Sequence, residues 1–474
     1  MIIGSINFLR SRKAYIPLLV INAITSSCAF LIANSTIFPD SKGYLLLGES
    51  IREGFTFSSW YFLPFAVPET LRTWGYPFFL FLARTVLDNL VFVKFIQYLF
   101  YLGSLFIAMK IISHISHRKS TQNLFLLFSA INIQVPYYSG LISAESLNIF
   151  FITLYAYILV TKKFNTINAI FLGLLGFVNF QLRPAFLLFP FFFLFVIVIF
   201  KPERKKVFYL LIQILVFSIS LVPFGFWNYT HHGVFKVIPL EGGAGVSHIS
   251  YWSFKLPSNY TNNTDWHNNV GNDVFMNLVA ERSEKNVIKY ENELAEIISG
   301  ASIHMTNQDS ARLNVMKENN PGTFILYNSA FTKMREKLFW KFTFSHILED
   351  PSFYIKTRIL SFCRFWFTGV NMSKLMDCRS IKCYAKVFPP FTITFTFIFC
   401  GLLFVSYHLI SKQFAFSKYT DLYILIIYFG LCHIPFAVQA RYTVPVHLLV
   451  LTLLSCTIME FVIEAPRSIF RARQ

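Results

Sequence analysis

Charge is scarce in this sequence. Only 14% of its 474 residues are Asp, Glu, Lys or Arg, whereas 55% are hydrophobic and 57 are Phe. A soluble chain of this length needs far more polar surface to cover its core, so that class is excluded. Other absences narrow the chemistry. No P-loop, no G-x-G-x-x-G fingerprint, no H-E-x-x-H and no C-x-x-C occurs, which leaves no sign of a nucleotide-binding fold or a spaced metal motif. The seven cysteines show no metal-type clustering. Cys378 and Cys383, the nearest pair, could form a disulfide outside the cytoplasm or stay as thiols. No repeat of fixed period and no low-complexity tail is present. The basic residues Arg10, Arg12 and Lys13 precede an apolar run without a small-residue cleavage site, so that run reads as a retained first helix.

What is present is a series of apolar stretches, at about 15–33, 90–112, 123–136, 145–160, 169–180, 184–200, 207–227, 390–410, 421–436 and 442–462. A helix of about 20 apolar residues crosses a bilayer, and helices satisfy their own backbone there. The expected fold class is therefore an all-α polytopic membrane protein with about ten transmembrane helices. Three regions follow. Residues 1–229 form an N-terminal transmembrane core of seven spans, with a broken first outer loop at 34–89. Residues 230–388 contain no membrane-length apolar run and read as a mainly helical extracytoplasmic insertion. Residues 389–474 supply the last three spans and a basic tail. Within the insertion, apolar spacing predicts helices over 272–298 and 352–367. The Gly-rich stretch 241–248 is expected to be a flexible loop. The histidines 231, 232, 248 and 267 lack ligand spacing and read as structural or exposed.

The formal net charge of +18 does not imply nucleic acid. The basic groups at 10–13, 118–119, 162–163, 201–206 and 412–418 and the C-terminal arginines all fall on one side of a ten-span topology, as the positive-inside rule requires. The expected location is a cell membrane, that of a bacterium, with the working face outside the cytoplasm. The outer side then holds Asp40, Arg72, Glu145, Arg183 and Arg441, each near the mouth of a span. Each of these alone also fits an interfacial anchor. Together, three arginines and two acids suit an anionic ligand: arginine grips a phosphate with two parallel hydrogen bonds, and a carboxylate beside it can take a proton from a hydroxyl.

The residues that carry these charges stand in an order that resembles a known family. They are "FPDSKGY" with Asp40 and Tyr44, "RTWGYP" from Arg72 to Pro77, "SAESL" with Glu145, the Arg183-Pro184 pair, "WNYTHHG" from Trp227, and "RYTVP" from Arg441. The set is similar to the GT-C class of integral-membrane glycosyltransferases, in particular the protein mannosyltransferase and aminoarabinose transferase group. That resemblance implies a sugar donor linked to a polyprenyl phosphate, an acceptor lipid, glycan or protein, and an inverting displacement. It implies Asp40 as the catalytic base, and Arg72, Arg183 and Arg441 as donor phosphate ligands. Glu145 would serve the acceptor side or a cation, and Tyr44, Trp74 and Tyr76 would contact sugar or lipid. Tyr44 and Trp74 also fit an aromatic belt at the membrane interface. Asp40 is followed by Ser41 and not by a second acid, so no cofactor is expected, and a divalent cation stays open there without the support of an acidic pair. Two other classes place charges in a helical bundle: a transporter or flippase of lipid-linked oligosaccharides, which predicts inverted halves, and an oligosaccharide polymerase or ligase, which predicts two large outer loops.

Overall fold

The computed structural model describes residues 11–34, 40–65, 67–200, 202–257, 260, 274–319, 327–367, 379–380, 383, 390–411, 419–436 and 438–471. Among them every regular element is a helix. The core is built from α1 Tyr15–Asn34, α2 Ser41–Gly54, α3 Gly75–Val86, α4 Leu90–Ser116, α5 Lys119–Ile131, α6 Gln134–Ser139, α7 Glu145–Thr161, α8 Thr166–Leu182, α9 Phe189–Phe200 and α10 Arg204–His232. The next region holds α11 Ala244–Trp252, α12 Val274–Asn277, α13 Glu284–Ser302, α14 Asn307–Asn319, α15 Ser329–Glu349 and α16 Pro351–Trp366. Last come α17 Pro390–Ser411, α18 Thr420–His433 and α19 His447–Arg471, the final helix being preceded by a 3-10 turn at Ala440–Val446.

Five of these helices are long and apolar enough to cross a membrane, by length and composition, and four more are shorter and apolar. Nine of the ten expected stretches overlap these apolar helices, two of them, 184–200 and 442–462, opening with a 3-10 turn; the stretch 123–136 is divided between the shorter α5 and α6, so the count of ten spans is not established. The surface is inverted relative to a soluble protein. Ile16, Phe195, Leu215 and Ile219 face outward, while Asn22, Gln97, Asn148, Asn179 and Gln213 are buried. Hydrocarbon solvent favours this arrangement, because apolar side chains gain nothing by leaving it and polar groups need partners inside the bundle. The partners are present. Asn22 donates to Ser129 Oγ at 2.6 Å, Gln213 to the Tyr155 hydroxyl at 2.5 Å, and Asn148 to Asn179 Oδ1 at 3.3 Å. Close backbone approach supports the packing of α8 on α10: a Cβ on Gly173 would lie 2.8 Å from the Gln213 carbonyl oxygen. In the buried first half of α19, Thr452 and Ser455 return their hydroxyls to the carbonyls four residues back, so no hydroxyl of that pair is left unsatisfied.

Two expectations for the middle region need correction. The helix predicted over 272–298 forms only as α12 and α13, because the intervening backbone is held elsewhere: Glu281 N–H donates to the Phe254 carbonyl and Ser283 N–H to that of Lys255. Residues 241–248 are not a loop throughout. Gly243 turns the chain at φ +94°, and α11 starts at the next residue. The Glu336 carboxylate accepts from the N–H groups of Gly242 and Ala244 at 3.0 and 3.3 Å, satisfying donors that a helix start leaves open. Cys383 is disulfide-bonded. Cys378, His267, Lys412, Lys418 and Arg473 lie outside the described residues.

Contacts at the helix ends order the bundle. The start of α2, the start of α7 and the ends of α8 and α18 gather at one end, with the middle region packed there through Ser247 on the Pro435 carbonyl. The opposite end carries Lys206, paired with Asp421 at 3.1 Å. A thiol introduced at the exposed Lys289 of α13 should therefore react with an impermeant reagent in intact cells, and one at the exposed Lys163 only after permeabilisation. Labelling of both from the same side would refute this arrangement.

Candidate functional site

The loop that leads into Gly75 is positioned by the end of α8. Thr73 donates its hydroxyl to the Gln181 carbonyl at 2.7 Å, and the Gln181 side chain accepts from the Trp74 N–H at 3.2 Å. Gly75 completes the docking: a Cβ there would sit 2.5 Å from the Gln181 carbonyl oxygen. This contact brings Arg72 to the Tyr44 side chain, on which Arg183, two residues after Gln181, also acts. From Gly75 the chain runs into α3, which packs tightly on α2, where a Cβ on Gly48 would lie 3.0 Å from that of Leu80. At the far ends of the two helices Glu49 and Asp88 pair with Arg52 and Arg84. The pairs made by Asp88 are half-solvated, and ion pairs of that kind add little to stability.

The five charged residues expected on one side do meet. Asp40, at the start of α2, accepts from Arg441 Nη1 at 3.1 Å. Glu145 opens α7 and is paired with Arg183. The Tyr442 ring joins the two ion pairs, with the Arg183 guanidinium 5.3 Å and the Arg441 guanidinium 5.5 Å from its centroid. Arg72 is 8% exposed and lies over the Tyr44 ring at 5.3 Å, with Glu69 at 3.6 Å from its Nη1. Gly43 gives the guanidinium its space, since a Cβ there would come within 2.8 Å of Nη2. Tyr44 lies within electrostatic reach of all these groups except Arg441. Burial pushes its phenol up, Arg183 and Arg72 pull it down, and Asp40 and Glu145 push it up again. Its hydroxyl is thus held neutral, able both to donate and to accept.

The aromatic residues divide. Tyr76 is buried, edge-on to Tyr44 at 4.9 Å, and donates its hydroxyl to Gln97 Oε1 at 2.6 Å. Trp74 stacks on Phe57 at 4.1 Å and stands edge-on to Trp227. It also lines an apolar groove of 660 Å³ together with Phe78, Phe177, Pro223, Phe224 and Trp227.

Sequence reasoning missed four contributors. Glu69 is buried and accepts from Ser59 Oγ and the Leu71 N–H. Gln181 holds the loop, Tyr442 sits between two guanidinium groups, and Tyr138 lies within reach of Glu145, Arg441 and Arg183. Their only signal was adjacency: Gln181 and Tyr442 stand beside the arginines singled out, and Glu69 three residues before Arg72. Of the histidines, His231 is exposed against Trp227, whereas His232 is buried and bonded to Ser329 and the Glu69 carbonyl.

No family model matches the chain, and no curated protein matches it. Among solved structures it resembles the archaeal oligosaccharyltransferase AglB from Archaeoglobus fulgidus, in complex with an inhibitory peptide and a dolichol-phosphate. The identity is 12% and the TM-score 0.44, with 97% of this chain covered and 52% of that one. The chain thus spans about half the length of that protein.

Replacing Gly75 by Ala forces a methyl group against a backbone carbonyl that cannot move without shifting α8. Overpacking of this kind costs about 1–3 kcal/mol. Gly75→Ala should lower the thermal unfolding midpoint in detergent, and unchanged stability would show that the loop is not docked as described.

Proposed function

We propose that this chain is a glycosyltransferase that moves a sugar from a polyprenyl-phosphate donor to the hydroxyl of a lipid, glycan or protein at the outer face of the membrane. One juxtaposition supports the reading: the charged cluster and the apolar groove meet at Trp74, which lines the groove two residues after Arg72. A prenyl chain in the groove brings its phosphate to Arg72, Arg183 and Arg441. Trp74 contacts the lipid and Tyr44 the sugar. Tyr76 backs Tyr44 from within the fold.

In the reaction the acceptor oxygen attacks the anomeric carbon from the face opposite the phosphate. The bond from that carbon to the phosphate oxygen breaks, the electron pair leaves with the lipid phosphate, and the configuration inverts. Asp40 takes the acceptor proton. The leaving phosphate gains a negative charge as Asp40 loses one, so the net charge of the site is unchanged through the step. Arginines fixed by ion pairs and by the Tyr442 ring require little reorganisation to meet the developing charge, and preorganised donors of this kind supply much of an enzyme's stabilisation. Arg441 orients the Asp40 carboxylate, and Glu145 orients Arg183 and shapes the acceptor side.

The test is transfer of labelled sugar from a panel of polyprenyl-phosphate sugars by the purified chain in liposomes. Mass spectrometry of envelope glycans from cells with and without the gene identifies the product. Asp40→Asn should lower turnover by about 10²–10⁴-fold while leaving the protein folded. Near-normal turnover in that variant would remove Asp40 from the chemistry. Arg72→Lys keeps the charge but loses the two-pronged grip, so its turnover should fall below wild type and that of Arg72→Ala further still. Wild-type kinetics in Arg72→Ala would make the residue an anchor and not a ligand.

A further inference from the structure

Three helices of the middle region aim side chains at one point. His248 from α11 and His346 from α15 each direct Nε2 to within 3.0 Å of Glu293 Oε2 from α13. The three ligand atoms lie within 4.8 Å of one another. Both imidazoles are 1% exposed and Glu293 is 7% exposed. The rings are fixed by stacking, Tyr251 on His346 at 4.3 Å and Tyr290 on His248 at 5.8 Å.

Hydrogen bonding alone does not account for this geometry. The Trp252 indole N–H, which can only donate, lies 2.9 Å from Glu293 Oε2 and 3.2 Å from His248 Nε2. If both imidazoles donate through Nε2, three N–H groups crowd one carboxylate oxygen, and the indole proton faces the His248 proton. If His248 Nε2 instead keeps its lone pair, that lone pair faces the carboxylate oxygen with nothing positive between them. A cation bound by the two nitrogens and the oxygen removes the conflict, leaving Trp252 to donate to the metal-bound oxygen. Ligand atoms on a tetrahedral ion at about 2.0–2.1 Å stand about 3.3 Å apart; the two nitrogen-to-oxygen separations of 3.0 Å are near that value, and the imidazole nitrogens, within 4.8 Å of each other, would draw in on the ion. His346 Nδ1 is buried without a hydrogen-bond partner, and Glu349 Oε2 stands 3.7 Å away, where a small side-chain turn would supply the carboxylate contact that the other nitrogen of a metal-bound histidine commonly makes. A groove lined by Lys289, Asn292, Ser345 and Glu349 opens beside Glu293 and gives an entry path.

We infer that His248, Glu293 and His346 bind a divalent first-row transition ion of the zinc type, which ties α11, α13 and α15 together. Two imidazoles and one carboxylate suit such an ion better than calcium or magnesium, which take oxygen ligands. The consequence reaches the charged cluster. Just before α11, Glu241 accepts the Thr70 hydroxyl at 2.7 Å and donates its N–H to the Thr70 carbonyl at 3.0 Å, two residues from Arg72. The ion thereby steadies the loop that carries Arg72, without touching the reacting groups.

The experiment uses the untagged full-length chain in detergent and reads metal content by mass spectrometry, so it does not depend on any catalytic activity. The wild-type protein stripped with a chelator should take up Zn²⁺ at one ion per chain and regain its thermal midpoint. Co²⁺ in its place should give the visible absorption of a four-coordinate site. Glu349→Gln leaves all three ligands intact and should weaken Zn²⁺ binding by about 10–100-fold. His346→Ala and Glu293→Gln should abolish stoichiometric uptake. Failure of the stripped wild type to bind Zn²⁺ or Co²⁺ would overturn the inference and leave a hydrogen-bonded triad, and so would stoichiometric binding that survives both ligand substitutions.

Discussion

The geometry at the mouth of the bundle depends on one backbone contact, the docking of Thr73, Trp74 and Gly75 on Gln181 at the end of α8. Only a residue without a Cβ allows that approach. The contact brings Arg72 and Arg183 to the same tyrosine, Tyr44, although more than a hundred residues separate them. It also sends the chain from Gly75 directly into α3, against which α2 packs. Asp40 opens α2, so its position follows from the same contact. The pair from Asp40 to Arg441 then joins the start of α2 to the entrance of α19.

Burying this much charge needs compensation. An unpaired ion in a low-dielectric interior costs several kcal/mol, and removing one partner of a buried pair is more destabilising than the pair is stabilising. The cluster meets that requirement locally: Asp40 with Arg441, Glu145 with Arg183, and Arg72 near Glu69. Tyrosine faces take up part of the remaining field. Such a group of charges contributes little net stability. Its value lies in being already oriented when an anion arrives, which is the condition for electrostatic stabilisation of a charge that develops during a reaction.

The middle region joins the bundle core through Phe365 and Trp366 of α16, and polar ties add to that contact. Glu241 holds Thr70, His232 holds the Glu69 carbonyl and Ser329, and Arg358 of α16 reaches both Ser250 and the Ile434 carbonyl. These bonds cross between segments far apart in sequence, so the loop around Arg72 is tied to α8 on one side and, through Glu241 and His232, to the start of α11 and of α15 on the other.

The sequence by itself determined the helical membrane class, the places of the apolar helices and the identity of the charges near their ends. Each of these follows from local information: a run of apolar residues long enough to span hydrocarbon, and an arginine or acid that such a run tolerates only at its mouth. The break in the helix expected over 272–298 was not legible, because a distant turn at Phe254 and Lys255 captures the backbone there. Nor was the pairing of the cluster. Which carboxylate meets which arginine, that Tyr76 spends its hydroxyl on Gln97 while Tyr44 faces the charges, and that Glu69 and Tyr442 belong to the group at all, are decided by helix packing. The same holds for His248, Glu293 and His346, whose separations in the chain match no ligand spacing. Hydrophobic periodicity is a property of neighbouring residues and survives in one dimension. Contacts between side chains on different helices exist only after the backbone has closed on itself, at points such as Gly75 where two chains approach within the space of a missing methyl group.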